Sequence, residues 1–229
     1  MAELQRGRES LPLPPREHLL ISVVICSYTL ERLKDIQEVL DSLAGGTYPR
    51  LEIIVVTERD RELQRKVEEY MGEKKYQNVQ VIFNEGRPSL ARARNLGIER
   101  ATGDIIAFLD DDAVPFPDWA QELVNTYLSH PEAVGVTGPA VPAWQGPNLE
   151  WLPTEFHWLV SSTGWFPERK DDEVRVVRNG WGMNLSMRRD TLGDLRFTFA
   201  DWAAEGGNKL GLEGDDLGFE CSQFVLRRP

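Results

Sequence analysis

The chain has 229 residues, 41% of them hydrophobic, which suits one globular domain of moderate size with a real core. Its formal net charge is -11, and a uniformly acidic chain repels phosphate backbones, so nucleic acid is excluded as the expected partner. The two cysteines, Cys26 and Cys221, form no CxxC pair and no metal-ligand cluster, which fits a reducing, cytoplasmic compartment.

In chain order, the first 17 residues are polar and Pro-rich and read as a disordered tail with no signal peptide. "LLISVVICSY" (19–28) is a buried strand rich in β-branched residues, far too short to cross a bilayer; Cys26 inside it reads as a buried thiol. A helix follows with Leu33, Ile36, Leu40 and Leu43 on one stripe. "LEIIVVTE" (51–58) is the second strand, 59–72 an exposed charged helix, and "VQVIFNE" (79–85) the third strand. Residues 89–101 form a helix with Ser89 as N-cap and an apolar stripe of Leu90, Ala93, Gly97 and Ala101. "DIIAFLD" (104–110) is a fourth strand, 117–130 a helix begun near Pro117, and "AVGVTGPAV" (133–141) a further strand.

The pattern then changes. Tryptophans stand at 144, 151, 158 and 165, but Pro147, Pro153 and Pro167 rule out one continuous heptad helix. They read as packing first, or as platforms for sugar rings. A strand is expected at 173–179, a Gly-flanked loop and strand at 180–190, and a last helix with Leu217, Cys221, Phe224 and Val225 on one stripe.

Apolar strands separated by helices predict an α/β fold, a mostly parallel sheet covered on both faces. Ligands of such sheets sit beyond the carboxyl ends of the strands. Tyr28, Thr57–Glu58, Asn84–Arg87 and Asp110–Asp112 are therefore expected along one edge. Neither a GxGxxG after the first strand nor a P-loop is present, so a metal is the alternative way to handle phosphate. In an extended segment Asp110 and Asp112 point to one side and Asp111 away, a pairing that suits Mg²⁺ or Mn²⁺ with further oxygens from a diphosphate. The plain alternative is a solvated acidic turn before Pro115. Arg94, four residues after Leu90, lies near the apolar stripe and needs an anion, either the Asp triplet or a phosphate; Arg92 and Arg100 read as surface residues.

"ISVVICSY", "LEIIVV" and above all "GRPSLARARNLGIERATGDIIAFLDDDAVPFPDW" resemble the inverting family 2 glycosyltransferases of GT-A fold. Ala93–Arg94–Asn95, Gly97, Ala101, Gly103–Asp104 and Asp110–Asp112 carry the resemblance. It continues more weakly through "GMNLSMRR" (182–189) and "EGDDLGF" (213–219). It implies a Rossmann-like central sheet flanked by helices, with a smaller acceptor-side region: one domain over 18–229, divided into a nucleotide-sugar-binding half (18–142) and an acceptor-side half (143–229).

The resemblance further implies a nucleotide-diphosphate sugar donor, UDP-linked first and GDP-linked second, and a DxD site for Mn²⁺ or Mg²⁺. Asp112 would bind the metal directly, with Asp110 as the second DxD carboxylate, nearer the ribose or sugar. Ser27, Tyr28, Glu58, Arg94, Asp110, Asp111 and Asn184 would line the donor pocket. The catalytic base would come from Glu213–Gly214–Asp215–Asp216, with Asp215 first and Glu213 and Asp216 as alternatives. Simple charge complementing a helix N-terminus also explains one of these acids.

The acceptor implied is a glycan or lipid-linked hydroxyl, compatible with peripheral contact at the inner face of a membrane. Two departures stand out: Thr57–Glu58 replaces the usual acidic pair, and a glycine interrupts the base motif. A donor-binding or partner-dependent protein without transfer activity of its own is the alternative function. A nucleotidyltransferase is disfavoured because "CSYTLERLKD" lacks the expected Gly-rich basic loop.

Overall fold

The computed structural model describes residues 18–143 and 182–193, the single residues 15, 153, 156, 174, 180 and 197, and the backbone of Phe224–Arg227. Strand β1 (Ile21–Ser27) leads through a 3₁₀ turn (Leu30–Arg32) into α1 (Leu33–Ala44); β2 (Leu51–Thr57), α2 (Arg61–Lys74), β3 (Val79–Phe83), α3 (Leu90–Arg100) and β4 (Ile105–Asp110) then alternate. After α4 (Trp119–Ser129) and β5 (Ala133–Thr137) come β6 (Asn184–Arg188), the short α5 (Arg189–Leu192) and β7 (Phe224–Arg227). The strands form one sheet in the order β3-β2-β1-β4-β6-β5-β7. β1 pairs in parallel with β2 and β4, and β2 with β3. β6 is antiparallel to both β4 and β5, and β7 is antiparallel to β5. This is the α/β, mostly parallel architecture expected from the sequence.

Alternation along each buried strand sends successive side chains to opposite faces and so makes two cores. Val23, Ile25, Ile53, Val55, Ala107 and Leu109 pack beneath α1, α2 and α4, whose contributions include Ile36, Leu40, Leu63, Val67, Leu123 and Tyr127. Val24, Ile54, Val56, Ile106 and Phe108 meet Ala93 and Ile98 of α3 on the other face. Helix α2, expected as an exposed charged helix, buries only Leu63 and Val67.

Two glycines are fixed by close approach. A Cβ on Gly97 would stand 2.3 Å from Val24 Cγ1, so α3 lies nearly against β1. A Cβ on Gly103 would meet the Leu20 carbonyl and the Ser22 backbone nitrogen at 2.7 Å each. Around that second turn the Glu52 carboxylate accepts from Thr102 N (2.6 Å), Thr102 Oγ1 (2.9 Å) and Gly103 N (3.0 Å), and from the Ser22 hydroxyl. Burial opposes ionisation of Glu52, yet these bonds outweigh it and hold the carboxyl below its ordinary value. Asp104 accepts from Leu20 N at 3.0 Å. The Gly103–Asp104 motif thus seals the amino end of the sheet, opposite the acidic triplet.

One expectation is corrected. Phe224 and Val225 were placed on a helical stripe, but Phe224–Arg227 is a strand on the outer edge of β5. Apolar residues this close together fit either period, and pairing satisfies the backbone groups that β5 would otherwise leave open. The spaced tryptophans, Leu217, Cys221 and, save Val174, the strand expected at 173–179 lie outside the described residues, as does the N-terminal tail apart from Pro15.

Gly97→Ala tests the close packing. Alanine gains about 1 kcal/mol of helix propensity over glycine. Overpacking against a stiff β-branched Val24 costs roughly 1–3 kcal/mol. The clash falls near the top of that range because it meets both methyls of a branched side chain that cannot swing away. A melting temperature lower by roughly 2–8 °C is expected in a thermal scan, and an unchanged or raised one would contradict the packing.

Candidate functional site

The parallel strands β1, β2, β3 and β4 end together, at Ser27, Thr57, Phe83 and Asp110. β6 begins beside the end of β4, with Asn184 opposite Leu109. Ser27, Tyr28, Glu58, Asp110–Asp112 and Asn184 therefore stand on one carboxyl edge, and α3 brings Arg94 to it. Helix polarity permits this: Ser89 caps α3 by accepting from Arg92 N, and the helix then runs back over the sheet.

Arg94 is only 4% exposed, and its Nη2 lies 3.6 Å from Asp110 Oδ1. Its guanidinium also sits 5.9 Å from the Phe108 ring centroid and 5.3 Å from that of Phe197. The expected anion partner is thus found, together with two aromatic faces. Asn95 beside it makes a paired clamp on Phe197: Nδ2 donates to the Phe197 carbonyl at 2.8 Å, and Oδ1 accepts from Phe197 N at 2.9 Å. Cys26 is half-buried behind Asp110; desolvation pushes its thiol to about 12 against the pull of Arg94, which leaves it an unreactive packing group.

The acidic triplet differs from the expected alternation. β4 ends at Asp110, and Ala113 N closes a turn on the Asp110 carbonyl at 3.1 Å. The period of two stops there. Asp111, expected to point away, turns onto the end of β1, where the Ser27 hydroxyl donates to its Oδ2 at 2.5 Å. Burial lifts the Asp111 carboxyl above its ordinary value, and the Ser27 bond and Arg32 recover only part of that. Asp112 is half exposed and meets Arg32 Nη1 at 2.9 Å, while Arg32 Nε lies 3.9 Å from Asp111 Oδ1. Asp110 answers to Arg94, and Asp111 and Asp112 share Arg32.

Glu58 is buried, and its Oε2 accepts from Asn84 Nδ2 at 2.8 Å and from Ser89 N at 2.9 Å. Asn84 in turn accepts from Gly86 N and Arg92 Nε, both at 3.0 Å. Glu58 thus ties the end of β2 to the loop that launches α3. Arg92 is exposed, as expected, but this bond holds it over Gly86. Tyr28 is 54% exposed, with the Arg59 guanidinium 5.0 Å from its ring centroid. Asn184 Oδ1 accepts from Trp119 Nε1 at 2.9 Å, and its Nδ2 donates to the Pro139 carbonyl at 3.2 Å. Both ends of that side chain hold the sheet edge to α4 and to the segment after β5.

Arg32 and Arg59 were not singled out in the sequence. Their only signal was a basic residue a few positions past a strand end. Glu213, Asp215 and Asp216 lie outside the described residues. A shallow concavity lined by Leu20, Arg50, Glu52 and Asn78 lies at the opposite, amino end of the strands, away from the triplet.

Among the described residues no three His, Cys, Asp or Glu side chains form a ready metal cage. The donor set nonetheless suits a hard divalent ion that takes most of its oxygens from water and a bound diphosphate. Asp112 presents a half-exposed carboxylate, and a guanidinium is already drawn to it as a stand-in cation.

A GT-A-type α/β fold is the class that this sheet and its structural neighbours define. The family model "Glycosyl transferase family 2" matches residues 22–196, and the chain belongs to that family. It is 36% identical over 170 residues to a glucosyl-dolichyl phosphate glucuronosyltransferase from Haloferax volcanii, covering 74% of this chain and 53% of the relative. It is 32% identical over 182 residues to the succinoglycan biosynthesis protein ExoM of Rhizobium meliloti, covering 77% and 54%. The chain thus spans about half the length of these curated relatives.

Two solved structures share the fold. The mannosyltransferase PcManGT of Pyrobaculum calidifontis, in complex with GDP-Man and Mn²⁺, has a TM-score of 0.59 at 19% identity, over 85% of this chain and 52% of that one. The TarS fragment of S. aureus with UDP-GlcNAc has a TM-score of 0.56 at 21% identity, over 79% and 49%.

Glu58→Ala leaves the Ser89 N–H without its acceptor and the Asn84 amide with only its long bond to the Arg87 carbonyl, 3.5 Å. A loss of about 2–4 kcal/mol is expected in urea unfolding, with or without nucleotide. An unchanged unfolding midpoint would show that Glu58 does not anchor α3.

Proposed function

We propose that this family 2 glycosyltransferase moves a hexose-type sugar from a nucleotide-diphosphate sugar to an acceptor hydroxyl, with inversion and with help from Mn²⁺ or Mg²⁺. The observation that carries the reading is the convergence of Ser27, Arg94 and Asp110–Asp112 at the ends of four parallel strands. A UDP-sugar is the favoured donor. The 36% identical relative is a glucuronosyltransferase by name, so UDP-glucuronate heads the panel; GDP-mannose, bound in the PcManGT structure, follows.

Asp112 and Asp110 would hold the divalent ion, which when bound supplies positive charge against the departing diphosphate. Arg94, itself buried, keeps Asp110 in place. Asp111, fixed by Ser27, sets the height of the turn. Tyr28, exposed and backed by Arg59, offers a flat face to the base. A carboxylate of 213–216, Asp215 first, would take the proton of the acceptor hydroxyl as it attacks the anomeric carbon opposite the leaving group. A single in-line displacement inverts that centre.

The acceptor we favour is lipid-linked. The relative's name points to one, and Val114 (53% exposed) and Phe116 (69%) stand just past the triplet on the surface. Among the described residues no helix is long and apolar enough to cross a membrane; in this reading Val114 and Phe116 make a peripheral contact with the lipid surface.

The test is a thermal-shift panel of UDP, GDP, CDP and their sugars, with and without Mn²⁺. One nucleotide is expected to raise the melting temperature only with metal, by about 2–3 kcal/mol of linkage at a hundredfold excess over Kd. Asp112→Ala should abolish that metal-dependent part while the unliganded melt stays within about 0.5 kcal/mol. No shift with any nucleotide would overturn the assignment. Metal-dependent binding without transfer or donor hydrolysis would instead favour a binding protein.

A further inference from the structure

The Arg32 guanidinium stands among three carboxylates. Its Nη1 is 2.9 Å from Asp112 Oδ2 and 3.0 Å from Asp35 Oδ2, and its Nε is 3.9 Å from Asp111 Oδ1. The backbone of Arg32 is pinned: its N–H donates to the Thr29 carbonyl at 3.1 Å in the turn that leaves β1. The side chain is not used to cap α1, although the residue holds the N-cap position. It is 42% exposed, so it has room to move.

Asp112 cannot serve two cations well. A divalent ion on its carboxylate would sit within a few ångströms of a permanent guanidinium charge, and that repulsion favours departure of one of them. Asp35 gives the arginine somewhere to stay. It lies three residues on along the helix and already binds the same nitrogen, so the side chain can release Asp112 without losing its remaining ion pair. There it still stands beside the carboxylates that would hold the donor's metal, and guanidinium geometry matches the oxygens of a diphosphate in pairs.

We propose that Arg32 is a displaceable counter-ion of the site. It neutralises the Asp111–Asp112 turn before the donor arrives, yields Asp112 to the divalent ion, and is passed from that carboxylate to the donor's diphosphate. This rests on the reading of Asp112 as a metal ligand.

The test is Mn²⁺ titration followed by the electron paramagnetic resonance signal of the free ion, on the wild-type chain and on R32Q, D35N, K34Q and D112N, with and without UDP. Without nucleotide, R32Q is expected to bind Mn²⁺ roughly five- to tenfold more tightly than wild type. D35N, which leaves the arginine to Asp111 and Asp112, should bind more weakly. K34Q removes the same charge two residues along from a side chain that is 84% exposed, and should stay within about twofold of wild type. With UDP present, R32Q should lose most of its advantage, because the diphosphate has lost its clamp.

R32Q binding no tighter than wild type would overturn the proposal, as would K34Q shifting as far as R32Q. Mn²⁺ binding that D112N leaves intact, or no Mn²⁺ binding by any variant with UDP, would instead overturn the metal-site reading beneath it.

Discussion

Helix α3 approaches β1 so closely that no side chain fits at position 97, and the arrangement of the site follows from that approach. With Val24 touching the helix backbone, the residues one turn earlier lie low over the strand ends. Arg94 is thereby driven under the surface, where a guanidinium persists only with an anion and good packing. Asp110 supplies the anion, and Phe108 and Phe197 supply the packing. Asn95, the next residue, holds Phe197 through both its polar atoms. One steric contact thus sets the depth of an arginine, the ion pair made by the last residue of β4, and the place where a distant segment docks.

The carboxyl edge of the sheet is organised by sharing charge between two arginines of different character. Arg94 is enclosed and fixed, and it belongs to the architecture. Arg32 is near the surface and is held by several weak claims. Between them the three aspartates, which would repel one another if left alone, are divided into one enclosed carboxylate, Asp111, and two that are accessible to an incoming ligand, Asp110 and Asp112. Glu58 adds a third fixed point without joining this division, since its oxygen is spent on the loop ahead of α3.

Much of this was legible in the sequence, for physical reasons. Runs such as Ile21–Cys26 and Ile105–Leu109 are apolar on both alternating faces, which only a doubly covered strand requires, so the sheet and the edge bearing the site followed directly. Arg94 was legible because a charge beside an apolar helical stripe must find a partner. Asp111 was misread because strand alternation was carried one residue past the end of the strand, into a turn. Arg32 was missed because its partners, Asp111 and Asp112, lie far along the chain, and no local pattern announces a contact of that range. The terminal strand at Phe224–Arg227 was misread because adjacent apolar residues carry no period of their own, and its partner is an edge that only the folded sheet reveals.

The antiparallel insertion of β6 between β4 and β5 bears on the order in which the molecule can be assembled. β1 through β4 complete their mutual pairing with residues up to Asp110, all contributed by one contiguous stretch of chain. β5 follows soon after in sequence, yet its neighbours are β6 and β7, both much farther along. During synthesis β5 therefore emerges without any strand to join, while the parallel unit behind it is already able to close. This connectivity allows the half that carries the acidic turn to close first, and the slowest pairings are expected between the strands farthest apart in sequence.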